Sequence, residues 1–201
     1  MQDNRAELAA MVGSRLCHDL ISPVGAIQNG LELLALAGQT GPGPEIALIE
    51  ESCAAATARI RFFRVAFGLA GNGQNLSARE AAALLDKITD GGRVMADWRP
   101  RDPMPRADVQ MAFLAFLCCE AALPQGGRIT VDTDGDVIDV EATGPRVNVD
   151  HSVWSHLSGP AKAADLAPAS VQFALLATLS RDRGAMLTTR TSDSALQIRI
   201  G

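Results

Sequence analysis

The chain has 201 residues, 47% of them hydrophobic, enough for one or two modest domains with a sizeable core. It carries 18 Lys and Arg against 23 Asp and Glu, a formal net charge of −5, and no basic stripe interleaved with aromatics, which argues against a nucleic-acid partner. There is no Tyr and only 4% of residues are aromatic, so the core must be built mainly from Ala, Leu, Ile and Val.

Residues from about Asp3 to Ala37 read as one long helix. Asp3, Arg5, Glu7, Arg15 and Asp19 interrupt the apolar positions of its first half, so a secretory signal is not expected. No stretch is long and apolar enough to span a bilayer, so no membrane partner is expected and the expected compartment is cytoplasmic. A breaker run, Gly38-Gln39-Thr40-Gly41-Pro42-Gly43-Pro44, precedes a second helix from about Glu45 to Ala70. Its residues Ile46, Ile49, Cys53, Ala56, Ile60, Phe63 and Phe67 alternate spacings of three and four, a heptad seam that needs another helix against it. Two such helices form an antiparallel hairpin with more apolar surface than it can cover alone, and pairing two copies into a four-helix bundle predicts a twofold homodimer.

Gly71-Asn72-Gly73-Gln74 marks a linker, dividing a helical hairpin domain (1–72) from a second domain (73–201). Ser77 and Glu80 make a capping box for a helix to about Asp90, which Gly91-Gly92 ends. Arg93 to Trp98 reads as a strand, and Pro100, Pro103 and Pro105 as a rigid loop. Ala107 to Leu123 is a strongly apolar helix stopped by Pro124 and Gly126-Gly127. Strands Arg128–Thr133 and Val137–Ala142 are joined by Asp134-Gly135-Asp136. After an irregular stretch, Pro168 to about Arg181 is helical, and Met186–Thr191 with Leu196–Ile200 closes the chain as a hairpin. The fold class is thus α plus α/β: a helical hairpin, then a sandwich with helices on one face of a mixed sheet. Cys17, Cys53, Cys118 and Cys119 all lie in apolar helical contexts without a C-x-x-C pair, so buried free thiols and no metal site are expected.

The first helix, turned at about 100° per residue, places Leu16, Leu20, Val24, Ile27, Leu31 and Leu34 in a stripe opposite His18. Ser14, Arg15, Ser22, Gly25 and Asn29 share the His18 side, with Met11 and Ile21 at its margins. The imidazole is therefore expected to point outward among small residues, presented to a large partner. A neutral imidazole has a nucleophilic ring nitrogen, and a phosphoryl group on that nitrogen remains activated for onward transfer to a carboxylate. Asp19 can accept a hydrogen bond from the other ring nitrogen and fix the tautomer. Arg15, one turn back, can steady phosphate oxygens. Pro23 removes a hydrogen bond to the Asp19 carbonyl, and a kink is expected there. His151 and His156 have no comparable setting.

The segment His18-Asp19-Leu20-Ile21-Ser22-Pro23-Val24, continued through Gly25-Ala26-Ile27-Gln28-Asn29-Gly30-Leu31-Glu32-Leu33-Leu34, resembles the phospho-acceptor helix of histidine kinases, and more narrowly the ChpT-type histidine phosphotransferases of alphaproteobacteria. The resemblance implies a dimerising hairpin that bears the histidine, followed by a degenerate, Bergerat-type copy of the kinase ATP-binding domain. It implies His18 as phospho-acceptor, with Arg15, Asp19 and Ser22 as its near neighbours. Implied partners are the receiver domain of a hybrid sensor histidine kinase and response-regulator receivers (CtrA-like) in cell-cycle control. The asparagine that holds the metal in active kinases falls near Cys118, on a helix with no Asn. The adenine-reading D-x-G-x-G becomes Glu141-Ala142-Thr143-Gly144-Pro145-Arg146, and the glycine-rich lid becomes Leu166-Ala167-Pro168-Ala169-Ser170. Neither ATP nor another cofactor is therefore expected to bind, and the Mg ion of transfer is expected to come with the receiver. Alternatives are an ATP-dependent histidine kinase fragment, a non-catalytic regulator that sequesters a partner, and a receiver phosphatase using Ser22 to orient water.

Overall fold

The structure, a computed structural model, describes residues 2–37, 43–71, 73–159 and 166–201. Helix α1 (Gln2–Ala37) runs unbroken through Pro23, whose ring is buried, and α2 (Pro44–Ala66) returns beside it. Gly38 to Pro42 of the breaker run, and Asn72 of the linker, lie outside the described residues. The two helices approach closely at Gly30, where a Cβ would stand 2.5 Å from Ile49 Cγ1, so only glycine fits without Ile49 shifting.

The face α1 turns inward runs through Leu8, Met11, Pro23 and Gly30, and the expected stripe is only partly covered. Val24 and Leu31 are 54% and 55% exposed, and on α2 Ile60 is 54% exposed and Cys53 is exposed. The physical reason is that α2 can cover only one flank of a stripe that wide. Cys17 is likewise exposed, so of the expected buried thiols only Cys118 and Cys119 are buried. Burial holds both of those thiols well above their ordinary range, keeping them protonated.

Helix α2 stops at Ala66, short of the expected Ala70, because the next layer takes over its terminal carbonyls. Gln110 Nε2 donates to the carbonyls of Ala66 (3.2 Å) and Gly68 (2.9 Å), and Arg106 donates to that of Arg64. Both donors sit on α4 (Arg106–Ala121), the apolar helix expected from the sequence. Phe62 of α2 stacks on Phe113 of α4 at 4.8 Å, and Trp98 meets Phe113 edge-on at 5.9 Å. Leu8, Met11, Phe62 and Phe63 therefore belong to the same hydrophobic cluster as the second layer.

The second layer is a two-layer α/β sandwich. Ser77 caps α3 (Ala78–Thr89), its hydroxyl accepting from Glu80 N–H as the capping box requires. The strands β2 (Val94–Trp98), β4 (Gly127–Asp134), β5 (Val137–Thr143), β6 (Leu187–Thr191) and β7 (Ala195–Ile200) form one sheet in the order β2-β4-β5-β7-β6. Only β2 and β4 run parallel. The register aligns Val131 with Val140 and Val140 with Ile198, all fully buried beneath the helices. Asp139, Gln197 and Arg199 alternate onto the other face and bond one another there.

Two features were not expected. Asn75–Leu76 (β1) pairs with Met104–Pro105 (β3), using part of what reads as a rigid proline loop. The irregular stretch contains α5 (His151–Ser158), capped by Asp150, whose carboxylate accepts from Ser152 N–H at 3.0 Å. A 3-10 turn, Pro168–Ser170, leads into α6 (Val171–Asp182) and touches α1. Among the described residues no helix is long and apolar enough to cross a membrane.

Gln110→Ala leaves the Ala66 and Gly68 carbonyls without their donor. It should lower unfolding free energy by about 1–3 kcal/mol, read from the urea midpoint at unchanged m-value.

Candidate functional site

His18 lies midway along α1 with its side chain 84% exposed, as the helix geometry predicts. Nothing crowds it along the axis: Ser14, Ser22 and Asn29 are exposed, Ile21 is 71% exposed, and a Cβ added at Gly25 would meet no atom within 4 Å. The ring is nevertheless held. His18 Nδ1 stands 3.0 Å from Asp19 Oδ1, and the other carboxylate oxygen, Oδ2, accepts from Arg15 Nε at 2.6 Å. An ionised carboxylate can only accept, so this contact requires a hydrogen on Nδ1, which in the neutral ring puts the lone pair on Nε2.

Arg15 does not present its guanidinium to solvent. Its side chain is 18% exposed, and Nη1 donates to the carbonyl of Ala169 in the 3-10 turn. The fork is committed to Asp19 and to the second layer, so it holds Asp19 in place and is not displayed for phosphate oxygens as the sequence suggests. The structure thus joins three of the sequence-derived residues in one chain, from the Ala169 carbonyl through Arg15 and Asp19 to His18. Ser22 is exposed on the same face, one turn on, and no hydrogen bond among the described residues joins it to this chain.

The Ala169 carbonyl is backbone and leaves no trace in the residue type. Sequence reasoning also passed over Glu120, a lone carboxylate in the last turn of an apolar helix. Its burial pushes its carboxyl above the usual range; the charges of Arg93, Arg15 and Arg59 oppose the rise, and that of Asp19 adds to it. Arg15 and Asp19 thus lie within electrostatic reach of a partly buried acid. Among the described residues no group of His, Cys, Asp and Glu could hold a metal ion.

Residues 78–195 match the family described as histidine phosphotransferase C-terminal domain. The protein phosphotransferase ChpT of Brucella abortus (strain 2308) is 36% identical over 135 residues, 66% of this chain and 64% of that protein, so the match spans just under two-thirds of the relative's length. A solved structure of a bacterial phosphotransferase is similar with a TM-score of 0.80 and 27% identity, over 98% of this chain and 96% of that one. The histidine kinase AdeS of Acinetobacter baumannii matches at 12% identity with a TM-score of 0.45, over 91% of this chain and 95% of that one.

Glu120 also makes stability depend on pH. Its folded pKa lies above the unfolded value near 4.5, so the native state binds more protons and stability falls as pH rises through the folded pKa. Glu120→Gln should therefore be more stable than the parent at about pH 8 and no more stable at about pH 4, by urea unfolding at both. A Gln variant less stable at the higher pH would contradict the assignment.

Proposed function

The chain belongs to the histidine phosphotransferase family, and on that premise we propose that it carries a phosphoryl group on His18 between receiver aspartates in a two-component phosphorelay. The observation that carries this reading is the outward, oriented imidazole of His18. With Nδ1 donating to Asp19, Nε2 is the nucleophile. Its lone pair forms the N–P bond as the receiver's acyl O–P bond breaks, and the receiver carboxylate leaves with that electron pair. The ring then carries a positive charge spread over both nitrogens, which the Asp19 carboxylate beside Nδ1 stabilises. The reverse transfer retraces the same path. Asp19 orients the ring and Arg15 is a positioning residue acting through Asp19; Ser22 contributes a small face against which the receiver can close.

Positioning is most of what phosphoryl transfer asks of a protein. The metal belongs to the receiver's acidic pocket. ATP does not fit the residues found at the kinase positions. Cys118, near where the resemblance expects a metal-holding amide, is a fully buried, protonated thiol, and Ala142, where it expects the adenine-reading aspartate, is a fully buried methyl with no acceptor for an adenine amine. The lid segment, Leu166 to Ser170, has no glycine and instead supplies the Ala169 carbonyl to Arg15. We assign residues 1–72 to phosphotransfer and dimerisation and 73–201 to docking.

An apolar groove supports the homodimer. Val12, Leu16, Leu20, Ile60, Phe63 and Phe67 line it, and a second copy would cover it along with Val24 and Leu31. In this reading the partners are the receiver of a hybrid sensor histidine kinase and response regulators of the CtrA type acting in the cell cycle, all in the cytoplasm.

Mixing the pure protein with a phosphorylated receiver should produce acid-labile phosphate on the parent and none on His18→Ala. Asp19→Asn and Arg15→Ala should slow transfer by about 10- to 100-fold. Both should also shift the His18 nitrogen resonances away from the Nδ1–H tautomer, which a merely structural loss would leave unchanged. Label appearing from ATP alone would overturn the relay in favour of a kinase.

A further inference from the structure

The contact between α2 and α3 leaves an elongated groove beside α2. It follows α2 from Glu51 to Val65, about 21 Å at 1.5 Å per residue, and continues past Gly68 to Gln74. Its middle section has a volume of 420 Å³ over an apolar floor that includes Val65, Leu76 and Leu84. The rim of that section carries Arg61, Arg64, Lys87 and Arg106 against one carboxylate, Glu80, and Arg61 and Lys87 also line the adjoining section with Glu51 and Asp90.

The chain's net charge is −5, yet this section gathers four cations around one carboxylate. Among the described residues Arg61, Arg64 and Lys87 form no ion pair, although Glu80 lines the same groove. Unpaired cations gathered over an apolar floor focus a positive potential where an anionic partner would gain from it.

We propose that this groove docks an acidic, amphipathic segment of a partner protein, with apolar side chains on the floor and Asp or Glu along the cationic rim. The length of the groove, about three to four helical turns, favours a peptide segment over a compact anion. The charge gradient sets its direction, with the acidic end of the segment toward Arg64 and Arg106. The groove meets the apolar seam at Arg64 and Gly68, which line both, but its lining includes neither His18 nor Asp19, so docking here leaves the imidazole open.

The test uses the full chain and a displayed library of random 16-residue peptides. Enriched peptides should be net acidic with apolar residues three and four apart. Their affinity, measured by fluorescence anisotropy, should fall at least tenfold in Arg61→Glu/Lys87→Glu, weaken with added salt, and stay unchanged in His18→Ala. Both substituted side chains sit on the groove rim, and equal thermal midpoints would show that the variant is folded. Enrichment without acidic bias, or affinity unmoved by the charge reversal, overturns the proposal. So does a single-stranded oligonucleotide that binds in their place and is lost in the same variant, which would make the groove a nucleic-acid surface.

Discussion

Arg15 is the residue on which the geometry around His18 depends. An Arg–Asp pair four residues apart on an exposed helix is worth only a few tenths of a kcal/mol and leaves both side chains largely free. Here both are 18% exposed, and the guanidinium also donates to a backbone carbonyl 154 positions further along the chain. That anchor divides the Asp19 carboxylate: Oδ2 is taken by Arg15, and Oδ1 is left for the imidazole. The tautomer of an exposed ring is thereby tied to the placement of another layer of the protein. In the proposed relay this gives the α/β layer a task without nucleotide chemistry, because the layer orients the ring that takes the phosphoryl group.

For that to work the second layer must sit in a fixed relation to α1, and the packing provides it. Phe62 against Phe113 continues the hairpin core into the sandwich, and Gln110 and Arg106 close the open end of α2 with hydrogen bonds. Apolar contact supplies the attraction, while the hydrogen bonds set the register, since a slip of one residue would leave the last carbonyls of α2 unpaired in a partly buried place. Glu120 of α4 is partly buried, and that burial holds its carboxyl above the usual range against the charges of Arg93, Arg15 and Arg59.

The periodic features were readable from residue types alone. The long first helix, the Ser77 cap, the buried α4 and the closing hairpin follow from spacing and turn chemistry, and the outward direction of His18 follows from 3.6-residue periodicity. What escaped depends on tertiary contact. The end of α2 is set by Gln110 and Arg106, more than forty residues away, and Arg15 is drawn inward by a carbonyl that any residue type would provide. Helix α5 was hidden because its eight residues, HSVWSHLS, are too few to establish a period, and only the Asp150 cap announces it. The seam of the first two helices was legible as apolar but not as two-sided, since periodicity gives the width of a stripe and not how many neighbours share it.

A group carrier faces two demands that pull apart: its reactive atom must be open to a macromolecule, and it must not reorient between visits. Burying the histidine would meet the second demand and defeat the first. In the proposed relay the demands fall on different atoms. Nε2 is left in water, where a carboxylate can reach it, and the restraint is applied from the opposite nitrogen through two side chains that solvent hardly touches. The remaining surface divides along the same logic. An apolar groove on the hairpin suits a partner that stays, because sequestering it from water is strongly favourable and slow to reverse. A cationic rim suits one that comes and goes, since charge speeds encounter more than it prolongs residence.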